Sequence, residues 1–466
     1  MFNKNQHYFS LAMLLILSFC LYCCSDDNSV NTESEPITQD PTENEEEPEI
    51  EPLSDEELLN TVQRQTLKYF WDFAEPSSQM ARERYHPNQT NNSIVTTGGS
   101  GFGLMAIIVG IERGFITKTE ALQRLNNIAN FLENADRFHG AWPHWLNGQS
   151  GNVEPFSNTD NGGDLVETSF LAQGIIVVRE YLKNGTSEEQ IIAEKFNQLW
   201  QGIDWQWYTN NQNVLYWHWS PNYEWQMNMP LEGYNECLIT YVLAASSPDH
   251  AIDSQVYHQG WARNGNITTI NLAYGFPLIV KHNGNEQYGG PLFWAHYSYL
   301  GLDPRNLSDQ YANYWQLNQN HTLINYNYCV ENPNNYSGYG ENFWGLTASY
   351  TRNQDGSVGY TAHSPANDTG VISPTAAVSS IVYTPEESLA MMHNLYEKHH
   401  ELSWGSAGFY DAISLTGNDW AAKQYLAIDQ GPMIVMIENY RTGLIWDLFM
   451  QAPEIQNGLD NLNFNY

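Results

Sequence analysis

Positive charge is what this chain has least of: 19 Lys and Arg residues stand against 53 Asp and Glu among 466, for a formal net charge of −34. Nucleic acid would be repelled, and no basic patch with interleaved aromatics reverses that. Charge of either sign is sparse, at 15% of residues, against roughly 25% in an ordinary globular chain. The polar surface must then rely on Asn, Gln, Ser, Thr and Tyr, which suit neutral polyhydroxylated ligands. Cysteine is scarce as well, with five residues. Three of them, Cys20, Cys23 and Cys24, end an N-terminal apolar run, which leaves Cys237 and Cys329 as expected buried free thiols rather than a disulfide. No His-Glu-x-x-His, no closely spaced Cys pair beyond the leader and no EF-hand loop occurs, so neither a metal nor another cofactor is expected. Gly98-Gly99-Ser100-Gly101-Phe102-Gly103 is not preceded by a clear strand signal, and no Gly-Lys-Ser/Thr follows it. It reads as close helix packing rather than a phosphate loop.

The run LAMLLILSFCLYCC after Lys4 is too short for an ordinary spanning helix and reads as an export signal. Cys24-Ser25-Asp26-Asp27-Asn28 resembles the site at which a bacterial lipoprotein is lipidated, with a plain secretory signal as the alternative. Between Asp26 and Glu57 there are 14 acids and no Lys or Arg. With so few apolar residues, 25–53 cannot offset chain entropy and reads as a tether. The expected organisation is a signal peptide over 1–24, the acidic tether over 25–53 and one folded domain over 54–466. The expected location is the outer membrane of a bacterium, on its cell-surface or periplasmic face, as a monomer that touches the membrane only through lipidated Cys24.

Ser54-Asp55-Glu56-Glu57 is a capping-box pattern, and Leu58, Leu59, Val62, Leu67, Phe70 and Trp71 follow at helical spacing. Further helical stretches are expected near 102–113, 118–135, 164–182, 187–204, 232–245, 308–325, 385–400 and 432–450, separated by loops rich in Gly, Pro and Asn. Strand signals are few, with short hairpins expected only around 212–219 and 357–361. About a dozen helices joined by long aromatic loops predict an all-α fold, an (α/α)6 barrel whose helix N-termini and loops converge on one mouth. A solenoid is the alternative, though no repeat of 30 to 50 residues is visible.

Two stretches carry the chemistry. LYWHWSPNYEWQMNMPLEGYNE (215–236) sets Trp217, Trp219, Tyr223, Trp225 and Tyr234 around Glu224, Glu232 and Glu236. AWPHWLNGQSGNVEPFSNTDNGGDLVE (141–167) repeats the mixture. Flat aromatic faces stack on pyranose rings, while carboxylates bind hydroxyls and move protons at a glycosidic bond. Trp142, Trp145, Trp217, Trp219, Tyr223, Tyr234 and Trp344 are the candidate stacking residues, each also a credible core residue. His218 and His296 are candidate sugar contacts, with satisfied burial as the ordinary reading for them and for His321 and His363. Asp164 and Glu167 lie three apart on one helix face, where a capping box explains them as well as a site does. Glu236 enters an apolar helix, where desolvation would keep it protonated, although a dipole-stabilised acid in a first turn is the plainer account. Asp429 precedes Pro432 and another apolar helix. Glu438 and Arg441 read as a mutual pair.

NGGDLVETSFLAQG, NVLYWHWSPNYEW, GYNECLITYVLAASSP, GGPLFWAHYSYLGLDPR, NHTLINYNYCVENP, GYGENFWGLTASY, AHSPANDTGVISPTAA and AIDQGPMIVMIENYRTGLIW resemble, in this order, the glycoamylase-like proteins of glycoside hydrolase family 144. The resemblance runs from about residue 54 to the C-terminus. It implies an (α/α)6 barrel that hydrolyses β-1,2-glucan with inversion to sophorose and short oligosaccharides. Carried over by motif, Glu236 is the general acid, Asp429 the base, and Asp164 with Glu167 the pair that helps hold substrate or the attacking water. Glu232 is a departure from the pattern, bearing on subsite contacts and so on endo or exo preference. The ligand is then a neutral β-glucan or gluco-oligosaccharide. The competing classes are a non-catalytic glycan-binding surface lipoprotein and a polysaccharide lyase on the same toroid, acting through residues near Asn325 to Tyr328 with Arg305 and Arg352.

Overall fold

Two kinds of helix alternate along the chain. The computed structural model describes residues 51–466 apart from Glu286, so the expected signal peptide, lipidated Cys24 and nearly all of the tether lie outside the described residues. Asp55–Trp71, Lys118–Asn134 and Ser187–Gln201 bury one face only, and each opens with a capping box: Ser54 with Glu57, Thr117 with Glu120 and Thr186 with Glu189. Thr97–Glu112, Leu165–Leu182, Leu238–Ser246 and Ala427–Arg441 are buried almost all round. A helix with one apolar face covers a core, whereas one that is apolar all round must lie inside it.

The packing follows that division. Thr97–Glu112 lies between Leu165–Leu182 and Ala427–Arg441, and Leu165–Leu182 also meets Leu238–Ser246. Ser187–Gln201 covers Leu165–Leu182, and Asp55–Trp71 covers Ala427–Arg441. The first inner helix therefore touches the last, which closes a ring and excludes the solenoid. In the second half the inner ring continues through the short turns Leu292–Ala295 and Tyr297–Tyr299 and the helix Pro374–Val378, with Tyr314–Glu331 and Pro385–His393 outside. This is the expected (α/α)6 barrel, and Pro52–Tyr466 form one compact unit.

Several boundaries differ from the expectation for local reasons. The helix expected at 232–245 begins only at Leu238, because Gly233 takes a left-handed conformation and Asn235 Oδ1 accepts the Cys237 N–H. The helix expected at 308–325 starts at Tyr314, after Asn313 as cap. The last one starts early, at Ala427, and breaks at left-handed Gly443. The hairpin near 357–361 is present, Val358–Ala362 against Ala348–Arg352. The one near 212–219 is not: His218–Trp219 pairs instead with Gly163–Asp164, which joins the two aromatic motifs. Cys237 and Cys329 are buried free thiols, and no described helix is long and apolar enough to cross a membrane.

The Gly98–Gly103 run serves packing. A Cβ on Gly101 would lie 2.2 Å from the Phe170 carbonyl oxygen, and one on Gly174 would lie 2.2 Å from that of Gly101. Two inner helices thus meet backbone to backbone. Gly101→Ala is expected to destabilise the fold by about 3 kcal/mol, the upper part of the usual range for overpacking, because a backbone and not a side-chain end must yield. Urea unfolding checks this, and an unchanged midpoint would refute the contact.

Candidate active site

The acids singled out from sequence gather at the N-terminal ends of inner helices. Glu167 is in the first turn of Leu165–Leu182, Asp429 in that of Ala427–Arg441, and Glu236 just precedes the cap of Leu238–Ser246. Such ends carry unpaired N–H groups and favour negative charge.

Asp164 is the anchor. Its Oδ1 accepts from the N–H groups of Val166 and Glu167 at 3.0 and 2.9 Å, and its Oδ2 meets Trp217 Nε1 at 2.9 Å and His144 Nδ1 at 2.8 Å. A fully buried carboxylate with four partners has nothing left for a sugar, so the structure corrects its expected contact with substrate or water: Asp164 orients Trp217 and His144. The capping box is only half made, since Glu167 Oε2 accepts instead from Gly98 N–H at 2.8 Å and the Thr96 hydroxyl at 3.4 Å. Burial raises Glu167 above the usual carboxylate range, with His144 opposing.

Glu236 is partly open, and the hydrogen bond found at its carboxyl is to its own backbone N–H. Burial pushes it up to about 7, helped by the charges of Glu167 and Asp164. No cation holds it. Asp429 is 1% exposed, and both its carboxyl oxygens are buried without a protein N–H or O–H donor. Its environment raises it well above the ordinary range, by burial and then by the charge of Asp411. Glu438 pairs with Arg113 and not, as expected, with Arg441, which reaches Gln63 and Glu56.

Sequence reasoning missed four residues here. Burial alone would lower the His144 imidazolium, but Glu167, Asp164 and Asp160 outweigh it and raise it to about 10. Asp160, pushed up to about 7 by burial and by Asp164, faces His218 Nε2 at 3.2 Å. Both lie inside the quoted aromatic motif, so the motif was their signal. Asp411, in contact with Asp429, had none, whereas Tyr297 lies inside the stretch GGPLFWAHYSYLGLDPR. The Tyr297 hydroxyl is buried without a partner, in the field of Asp429, Glu167 and Glu236. One atom each from His144, Asp160 and Asp164 lie within 4.8 Å of one another, a group of metal-ligand type. With His144 protonated near neutrality, a proton already bridges it to Asp164 and competes with any cation for that nitrogen.

Of the expected sugar contacts, Trp145, Trp217 and Trp219 are half-buried and Tyr223 is exposed. Phe156 stacks on His144 at 4.2 Å and meets Trp145 edge-on, and Trp207 stacks on His139 at 3.7 Å beside Trp219. The other five are corrected. Trp142 and Trp344 are fully buried, donating to the Leu132 and Glu387 carbonyls. Tyr234 bonds Asn318, and His296 meets Ser380. His218 accepts the Gly162 N–H. Enclosed rings cannot stack on a ligand. Residues named for a lyase are also structural: both ends of the Asn325 amide bind the Leu346 backbone, Arg305 pairs with Asp303, and Arg352 donates to Asn418.

The raised values of Glu236 and His144 carry a sign. Each binds its proton more tightly folded than unfolded, so its contribution to stability is whole at low pH. It is lost as pH rises through about 7 for Glu236 and about 10 for His144. The urea midpoint is expected to fall from pH 5 to pH 9; a rise over that range would contradict these environments.

The glycoamylase family profile, described as "Putative glucoamylase", matches residues 228–453. An exo β-1,2-glucooligosaccharide sophorohydrolase (non-reducing end) of Parabacteroides distasonis is 44% identical over 429 residues, 88% of this chain. The chain spans 58% of that relative's length. The endo-β-1,2-glucanase of Chitinophaga pinensis, solved with sophorotriose and glucose, is 56% identical over 89% of this chain and 99% of its own, with a TM-score of 0.86. An endo-β-1,2-glucanase of Talaromyces funiculosus superposes with a TM-score of 0.65 at 12% identity, a likeness of fold alone.

Proposed function

Since the chain belongs to the glycoamylase-like family of bacterial β-1,2-glucanases, glycoside hydrolase family 144, we propose that it hydrolyses β-1,2-glucan to sophorose and short gluco-oligosaccharides with inversion. The observation that carries this is Glu236: a partly open carboxyl with which no described cation pairs, just before the cap of Leu238–Ser246 and pushed up to about 7. It protonates the departing glycosidic oxygen. Asp429 takes a proton from water on the opposite face of the ring, directly or through a substrate hydroxyl. Trp145, Trp217, Trp219 and Tyr223 give the sugar its stacking faces. Incubation of the soluble domain with linear β-1,2-glucan tests the reading. New reducing ends support it; a ladder of products means endo action and sophorose alone from the start means exo action. Binding without new ends would leave a glycan-capture protein, and an unsaturated product would mean a lyase.

Export as a lipoprotein belongs to the same proposal and rests on Cys24 with its acidic flank. Metabolic labelling with a fatty-acid probe is expected to tag the full chain in the outer membrane and not Cys24→Ala. An untagged native chain would leave a plain secretory signal.

A further inference from the structure

We propose that Asp411 is a positioning residue for the base, sharing one proton with Asp429 so that the two carboxyls act as a single titrating unit. This rests on Asp429 being the base. Asp411 is 2% exposed and Asp429 1%. Their side chains are in hydrogen-bond contact, while Asp411 Oδ1 and both oxygens of Asp429 are buried without any other partner. Two carboxylates hold only acceptors, so a hydrogen bond between them requires a proton. Two buried like charges at that range cannot both ionise.

Asp411 is itself fixed. Its Oδ2 accepts the Tyr350 N–H at 2.7 Å, its backbone N–H donates to the Gln424 carbonyl at 3.1 Å, and its carbonyl accepts the Ser373 hydroxyl at 2.6 Å. The charged and titratable groups around the pair are the adjoining Glu83 and Arg84, Arg84 donating to the Tyr350 hydroxyl, and the phenols of Tyr360 and Tyr297. The Tyr350 N–H favours charge on Asp411, so at rest the shared proton sits on Asp429. In the reaction Asp429 passes that proton to Asp411 and takes one from water, whose hydroxide joins the anomeric carbon as Glu236 gives its proton to the leaving oxygen. The pair, now doubly protonated, releases one proton to solvent, and Glu236 regains one. Burial, which raises Asp411 to about 6, agrees with a pair that carries one negative charge near neutrality.

Asp411→Asn tests this, because the amide is neutral at every pH and its N–H still reaches Asp429. The acid limb of kcat/KM on β-1,2-glucan is expected to move down by about one pH unit or more, since Asp429 then ionises without a like charge beside it. A limb that stays in place while kcat falls equally at all pH values would reduce Asp411 to a structural role and overturn the proposal. Should that variant not fold, infrared spectra of wild type with 13C-labelled aspartate decide. A protonated aspartic C=O band at pH 7 that Asp429→Asn removes supports the shared proton, and no such loss overturns it. Full turnover by Asp429→Asn would instead defeat the base assignment itself, whatever the pair does.

Discussion

Glu236→Gln is expected to lower turnover of β-1,2-glucan by about 10² to 10⁴-fold while leaving glucan binding intact, the range in which a positioned proton donor contributes. The amide keeps the shape of the acid and has no acidic proton. Because no described side chain is hydrogen-bonded to the Glu236 carboxyl, the substitution strands no partner and the surrounding fold should not move. Two signatures separate this from indirect damage. The alkaline limb of the wild-type kcat/KM profile, expected at about pH 7 where Glu236 ionises, should vanish from the residual activity of the variant. The loss should also shrink on an aryl β-1,2-glucoside whose leaving group needs no proton. Stability moves the other way. An ionised Glu236 costs the fold energy above about pH 7, so the glutamine variant should unfold at higher urea than wild type at pH 8 and with wild type at pH 5. Equal losses on both substrates would take the acid role from Glu236.

Asp429→Asn is expected to cost a comparable factor of about 10² to 10⁴ in kcat, and here the loss should be the same whatever the leaving group, because the missing event is activation of water. The amide put at position 429 can still donate an N–H to Asp411, as the shared proton did, so the variant should be about as stable as wild type near neutrality. A stable, well-folded protein that binds glucan and does not turn it over is the expected phenotype. Substantial activity in Asp429→Asn would require another base. Asp160 and Glu167, both raised and both near His144, would be the groups to replace next.

The alternation of one-faced and wholly apolar helices is written in the chain, because a period of 3.6 and its absence both follow from side-chain polarity alone. The outer helices of the first half were legible to within a few residues for that reason, and their capping boxes mark the starts at Ser54, Thr117 and Thr186. The sugar-binding character was legible too, since aromatic and acidic residues cluster in two unbroken stretches. Glu236, Glu167 and Asp429 could be named from motifs, and burial then supplies the raised value that a donor such as Glu236 needs.

Which aromatic rings face the ligand was beyond the sequence. Trp142 and Trp217 stand in equally aromatic surroundings, yet one is sealed against Leu132 and Arg137 while the other is held half-open by Asp164. Nothing local distinguishes them; only the pairing of Gly163–Asp164 with His218–Trp219 does. Asp164 looks like a site acid in the chain and turns out to be a bracket, because its four partners come from both motifs. Asp411 lies in a stretch with no motif at all and becomes significant only where its N–H bonds the Gln424 carbonyl, just ahead of the helix that carries Asp429. Sequence determined the kinds of helix and the class of ligand through composition and period, which are properties of neighbours along the chain. Tertiary structure decided which acids face one another and which are satisfied, because contact and desolvation depend on residues that are not neighbours along the chain, as His144 and Trp217 are not neighbours of Asp164.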